Sequence, residues 1–566
     1  MTSAPAFQSW LDDFFESYYR HRPVNATFIG NHRYDERLPD YSENGAGDAL
    51  ADAVALLARL HALPEEPLSE VEALDKKLAE GFLEIQRWEL PSGHWHLGNP
   101  CVYTGEAIFS VISLLRRPFA PLGQRLEAAI RRMEAIPALL AEGQDKLRAA
   151  PPAWIGRAMD ECTGARALFG NGVDRFVWAH AISEPRVHEA AASAEAAFAA
   201  FQHYLRTALS ARPAEAYACG AEAFDSLLKR GHFLDIDATE MERYARQQFA
   251  ECEAYLASHA ADFDARTWQE ALAQLAGKHP TVEGYYRRYT ELWEDCRASA
   301  EKHRLLSWPD FPIRYVPRPM WVREAAPHLY FLFYHSPAPL DRLPEVEYLV
   351  TPVDSTMRPE EQEQLLRATN DSVIKLNHVI HHGAIGHHVQ NWHAFRAGSR
   401  IGRIAAVDCA LRIALFCGGT MAEGWACYAT DLMDEFGCLT PLEHYSQSHA
   451  RLRMAARAII DVRLHHGAIT LDEAIRFYQD RAGMTPAAAR AEAVKNSMFP
   501  GAALMYLAGT DEIHRLRREL AARPDFELRS FHDRLLSFGS VPVALIAEAM
   551  RNRPPAEGVK GAEKTD

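Results

Sequence analysis

The N-terminal residues Phe7, Trp10, Leu11, Phe14, Phe15 and Tyr18 fall on one stripe at the 3.6-residue period, with Asp12, Asp13 and Glu16 opposite. A helix patterned this way must bury its stripe against other elements. From about Asp48 to about His303 the chain stays rich in Ala, Leu, Glu and Arg, and Leu63-Pro64, Pro151-Pro152 and His279-Pro280 divide it into runs long enough for helices. This reads as an array of long antiparallel helices; no fixed period repeats along it, which argues against a solenoid. Between Trp308 and Val353 prolines crowd around the aromatic and β-branched pieces Tyr330 to Tyr334 and Tyr348 to Val350, where a small sheet is expected. Helical pattern resumes at Pro359, behind Arg358-Pro359-Glu360-Glu361. From Arg551 to Asp566 almost nothing can be buried, so a disordered tail is expected. The expectation is a mainly α protein: a helical array over 1–305, a small sheet and further helices over 306–550, both in one continuous body, and a tail over 551–566.

The 566 residues carry 61 Lys+Arg against 76 Asp+Glu, a net charge of −15 with no basic block. That argues against nucleic acid or an anionic membrane as partner and favours a small molecule or short peptide. The start, MTSAPAFQSWLDDFFESYYRH, lacks a basic stretch followed by an apolar run, and no window holds 18 uninterrupted apolar residues. Nine scattered cysteines without a CxxC pair fit reduced thiols. A cytoplasmic protein is expected, with oligomeric state left open. No GxGxxG, GxxxxGK[ST] or GxSxG stretch supports a nucleotide cofactor or a serine nucleophile.

Chemistry concentrates in NHVIHHGAIGHHVQNWH, which places His378, His381, His382, His387, His388 and His393 within sixteen positions. Imidazole is the commonest ligand for zinc and similar metals, and converging imidazoles with a carboxylate make a metal site. His378 and His382 are four apart and share a helix face. His381 and His387 are six apart, about 240° around an ideal helix, so they converge only if Gly383 and Gly386 let the helix break or bulge. Downstream, CGGTMAEGWACYATDLMDEFG reads as a helix from Thr420 to Phe436 ending at Gly437, with Glu423 among Met421, Ala422 and Trp425. The competing reading of Glu423 is a helix N-terminal acid satisfied by the dipole; that of the histidines is scattered core or solvated imidazoles. Two arginine-rich pieces, Arg314 to Arg318 and Arg396 to Arg403, could fork onto a substrate carboxylate, although solvated surface arginines are commoner. Tyr330 to His335 could offer an edge strand to a peptide, with plain structural sheet as the alternative.

The residues His381-His382-Gly383-Ala384-Ile385-Gly386-His387-His388-Val389-Gln390, then Glu423-Gly424-Trp425-Ala426-Cys427-Tyr428-Ala429-Thr430, resemble a bacterial family labelled domain of unknown function 885, a zincin-like group distantly similar to helical metallocarboxypeptidases. The family pattern is approximately H-E-G-x-P-G-H-H-x-Q followed by E-G-W-A-x-Y-A-E. Resemblance extends to Pro23 to Gly30, Pro500 to Gly509 and Phe531 to Leu536. It implies a zincin-like helical body, His381, His387 and Glu423 as metal ligands, Tyr506 as donor to a substrate oxyanion, and His388 and Gln390 lining the site.

The chain departs from that pattern at three places. His382 stands where the family has the glutamate that would act as general base, Ile385 where it has proline, and Thr430 where it has a later acid. Loss of that carboxylate should remove most ordinary hydrolysis. His382 could itself shuttle a proton, since imidazole titrates at about 6.5. It could instead join the metal, with His378 as another alternative ligand, in a histidine-rich set that suits iron or copper as well as zinc. Or the site could be a relic in a binding or scaffold protein. The sequence favours a metal-dependent enzyme acting on a small peptide-, amide- or amino-acid-like substrate, most readily with zinc, by non-standard hydrolysis, a lyase or another metal-assisted reaction.

Overall fold

The computed structural model describes residues 4–64, 67–214, 217–329, 334–405 and 418–552. The first helix, Pro5–His21, turns its stripe inward, and Phe7, Trp10, Leu11, Phe14, Phe15 and Tyr18 are all buried. Further helices follow in rapid succession. Several are fixed at their starts by reciprocal side-chain and backbone bonds, as at Ser69 with Glu72, Asp237 with Glu240 and Thr440 with Glu443. Such starts fix where each helix begins, and burial of the apolar faces supplies most of the stability.

The mainly α expectation holds. The only sheet among the described residues is a parallel pair, β1 (Ile313–Pro317) and β2 (Val346–Val350), with Ile313 opposite Val346. The sheet therefore lies in the expected proline-rich region and includes the expected Tyr348 to Val350 piece, paired with β1, which the sequence did not single out. A strand can run through Arg314-Tyr315-Val316 because Pro317 closes it and makes no demand on the ladder interior. Tyr330 to Phe333 lie outside the described residues; Tyr334 forms an isolated antiparallel bridge to Tyr348. The last helix is Val543–Asn552, and the rest of the expected tail lies outside the described residues.

Early and late helices pack directly on each other. Ala238–His259 lies along the 25-residue helix Pro441–His465, and Tyr445 donates to the Leu256 carbonyl. Trp154 Nε1 donates to Ser497 Oγ (2.9 Å) and His232 Nε2 to the Gly501 carbonyl (2.8 Å). Gly501 opens a tight loop, held because buried Asp461 on the long helix accepts from the backbone N–H groups of Gly501, Ala503 and Leu504 at 2.9–3.0 Å. That loop leads into the helix Met505–Ala521, which carries Tyr506.

Candidate metal centre

Asn370 caps the histidine segment by accepting from the Val373 N–H (3.1 Å). After one α turn the backbone widens into π-helical winding from Ile374 to Gly383, a rare state that recurs at functional sites. The winding is echoed in a side chain: His382 Nδ1 donates to the carbonyl of Asn377, five residues back (2.7 Å). The helix then breaks. At Gly386 any Cβ would overlap the His381 carbonyl, and the Gly386 N–H closes on Ile380 instead (3.0 Å). His387 opens the next helix, His387–Ala394. Two carbonyls left over by the break are satisfied by indoles: Trp293 Nε1 donates to Gly383 and Trp425 Nε1 to Ile385, both at 2.9 Å.

The break brings His381, His382 and His387 together, each offering a nitrogen within 4.8 Å of the other two. Glu423, the fifth residue of the helix Gly419–Glu435 and so beyond its first turn, places Oε2 3.6 Å from Nε2 of both His381 and His387. Tetrahedral ligands at about 2.05 Å from zinc stand roughly 3.4 Å apart, so this spacing fits a cation between the groups. The side chains of His381, His387 and Glu423 remain 16%, 13% and 18% exposed, so the cluster opens on a water-accessible recess rather than dry core.

Electrostatics agree with a cation site. Burial holds His381 below the usual imidazole range against the pull of Glu423. Burial, then the neighbouring His381 and His387, hold His382 well below it. Burial pushes Glu423 up, but His387 and His381 outweigh it and keep the carboxyl well below its usual range. Deprotonated His381 and His382 beside an ionised Glu423 are donor forms a divalent metal requires. The Asn377 carbonyl fixes the tautomer of His382, leaving Nε2 as its lone-pair nitrogen, the arrangement metal-binding histidines usually have.

Residues 23–550 match the family described as bacterial protein of unknown function, DUF885. The chain belongs to the DUF885 family. Nothing matches it among curated proteins. Among solved structures, this DUF885 chain is similar to a protein described as a candidate lipoprotein of unknown function from Shewanella oneidensis, with TM-score 0.76 and 22% identity over 96% of this chain and 100% of that one. It is also similar to a candidate lipoprotein from Colwellia psychrerythraea, with TM-score 0.74 and 17% identity over 96% and 98%. These likenesses show a shared fold. No helix among the described residues is long and apolar enough to cross a membrane.

The helix Met505–Ala521, which carries Tyr506, touches the glutamate helix Gly419–Glu435 backbone to backbone. A Cβ on Gly424 would lie 2.5 Å from the carbonyl carbon of Gly509, and one on Gly509 would overlap the Thr420 carbonyl. Burial, then Glu423, raises the Tyr506 hydroxyl well above its usual range, so it stays a proton donor. That hydroxyl has no hydrogen-bond partner among the described residues.

Other expected site residues of this DUF885 chain are placed elsewhere. His388 is turned away: its ring stacks on Phe311 (4.6 Å), Nε2 donates to the Phe311 carbonyl (2.7 Å) and Nδ1 faces the Tyr334 hydroxyl (3.4 Å). Both nitrogens are therefore engaged away from the cluster. His378, the alternative ligand, shares a 2.6 Å hydrogen bond with the Tyr348 hydroxyl and is not in the metal group. Gln390 donates to Ser540 (2.8 Å), and Thr430 donates back to Ala426 (3.2 Å) within its helix. Three arginines of the arginine-rich pieces are engaged with other groups. Arg314 pairs with Glu345 and Glu347, Arg400 with Asp12, and Arg396 lies over Trp392.

The residues that sequence reasoning missed sit on the long helix. Arg457 stacks over the Tyr506 ring (4.7 Å) and bonds Glu492 through Nε (2.6 Å) and Nη2 (3.3 Å). Arg453 stands one turn before it. A signal was present: Arg453, Arg457 and Asp461 recur every four residues within an otherwise apolar face, where charge must serve partners.

Proposed function

We propose that this chain is a metal-dependent enzyme on a zincin-like scaffold, acting on a small peptide-, amide- or amino-acid-like molecule. The observation that carries the reading is the 3.6 Å approach of Glu423 to both His381 and His387, with His382 in the same group. His381, His387 and Glu423 would hold a divalent cation, zinc first, and His382 is placed to add a further nitrogen. Bound there, zinc would supply Lewis acidity toward a substrate carbonyl. Tyr506, protonated and unpartnered, donates to the oxygen on which negative charge develops. Because His382 is depressed and its Nδ1 is tied to Asn377, its role as a fourth ligand fits better than one as proton shuttle. The chain has no carboxylate at position 382 to act as general base, which favours a diverted reaction over ordinary peptide hydrolysis.

The histidine-rich donor set also supports iron or copper with redox chemistry as the second reading. A cytoplasmic location rests on the described cysteines, all of which are free thiols. The lipoprotein description belongs to the two structural neighbours.

The test is elemental analysis of untagged, chelator-free protein beside His381→Ala, His387→Ala and Glu423→Ala. One ion per chain is expected, lost in each variant, and its identity separates zinc from the redox metals. A well-folded chain that takes up no metal after reconstitution would sink the proposal. On metal-loaded protein, His382→Glu is expected to gain peptidase activity.

A further inference from the structure

The helix Leu122–Lys146 carries Arg125, Ala128 and Arg132 on one face, three and then four residues apart. Arg132 is fully buried and holds the loop that crosses this face: Nε donates to the Arg37 carbonyl (3.1 Å), and Nη2 to the Tyr34 carbonyl (3.3 Å) and Thr27 Oγ1 (2.7 Å). Arg125, two turns earlier, holds the other side. Its Nε donates to the Ala120 carbonyl (2.9 Å), and Nη1 to the Leu114 and Leu115 carbonyls (2.9 and 3.1 Å) at the end of the helix Cys101–Arg116. Between the two arginines this face presents only the methyl group of Ala128. The space left over is a cavity of about 410 Å³ with Arg125 and Ala128 in its lining, walled by Phe119 and His32 and bordered by the exposed Arg33 and Arg37. That is room for a small molecule.

Most charges around the cavity are already matched. Buried Asp35 accepts from Thr27 Oγ1 (2.6 Å) and His32 Nδ1 (2.8 Å), and His32 gives its other nitrogen to Asp341 (2.8 Å). Arg33 pairs with Glu16 (2.8 Å). Two cations of the lining have no such match. Arg37 makes no side-chain hydrogen bond or ion pair among the described residues, and its guanidinium lies only over the Tyr34 ring (5.9 Å). Arg125 is 8% exposed, meets carbonyls but no carboxylate, and its Nη2 has no partner among the described residues. Burial alone holds this guanidinium below its usual range, with no acid offsetting it. Glu36, the remaining acid of the lining, is exposed to water, where its charge is screened. A buried guanidinium whose partners are all neutral is best completed by an anion that brings oxygens into its plane.

We propose that this cavity binds a small molecule through a phosphate or carboxylate group, seated between Arg125 at the floor and Arg37 at the mouth. Phe119, stacked on His32 (3.6 Å), and Ala128 supply an apolar wall for the rest of the molecule. No member of the histidine cluster lines the cavity, so the site stands whether or not the metal reading does.

The experiment titrates full-length protein by calorimetry at constant ionic strength with inorganic phosphate and, separately, with succinate. Wild type, Arg37→Gln, Arg125→Gln and His381→Ala are compared. Wild type is expected to bind at least one of the two anions at millimolar concentration, and which one it binds names the group that is read. Removal of one charged donor should weaken that binding by about tenfold or more in Arg37→Gln and in Arg125→Gln, with His381→Ala still binding. Arg125 also supports the end of a helix, so circular dichroism accompanies each variant. Arg37→Gln removes no side-chain hydrogen bond and decides the matter if Arg125→Gln does not fold. No binding of either anion, binding at full strength in Arg37→Gln, or binding lost altogether in His381→Ala would overturn the proposal.

Discussion

Gly386 shows how one residue type decides the chemistry. Its Cα lies so close to the His381 carbonyl that a methyl group there would overlap it, and relief requires moving the turn that swings His387 back toward His381. Gly386→Ala should therefore cost on the order of 2–4 kcal/mol and weaken metal retention, checked by denaturant unfolding and by metal content of the folded fraction. The glycines were legible in the sequence as the place where the helix had to break. The fate of His388 was not, because a histidine next to a ligand looks the same whether it faces the metal or, as here, stacks on Phe311 and bonds its carbonyl.

At the scale of elements, the site is a joint between a broken helix and two intact ones. Trp425 locks the joint from the glutamate helix by donating to Ile385, so the ligand Glu423 and the clamp on the histidine turn lie two residues apart. Trp425→Phe keeps the ring but removes the donor, and a buried carbonyl left unpaired costs about 1–3 kcal/mol. Metal affinity should fall about 10–100-fold, read by chelator competition against Trp425→Ala, which should also lose packing. Element types were readable from periodicity, including the starts near Pro5 and Pro359 and the end at Gly437. The pairing of β1 with β2 was not, because a parallel pair joins segments some thirty residues apart and local pattern says nothing about which segments meet.

Across the whole molecule, His32 ties the start of the chain to its middle, bonding Asp35 (2.8 Å) and Asp341 (2.8 Å) while stacking on Phe119. Burial lowers its pKa, but the two aspartates outweigh that and raise it to about 9. A histidine whose folded value lies above its unfolded one of about 6.5 adds stability that is complete below about pH 6.5 and is lost as pH rises through about 9. Wild type should exceed His32→Gln in Tm at pH 6 by an amount on the order of 1–2 °C, and the gap should close by pH 10, as scanning calorimetry would record. A gap independent of pH would rule out the charged pair as its source.

The bare contact of Gly424 with Gly509 has a consequence for how such a molecule can diverge. The helices that carry Glu423 and Tyr506 meet main chain to main chain at Gly424 and Gly509, so a larger residue at either glycine cannot be accommodated without moving one helix against the other. Descendants of this chain can therefore vary the side chains around the cluster while inheriting the spacing of Glu423 and Tyr506 unaltered.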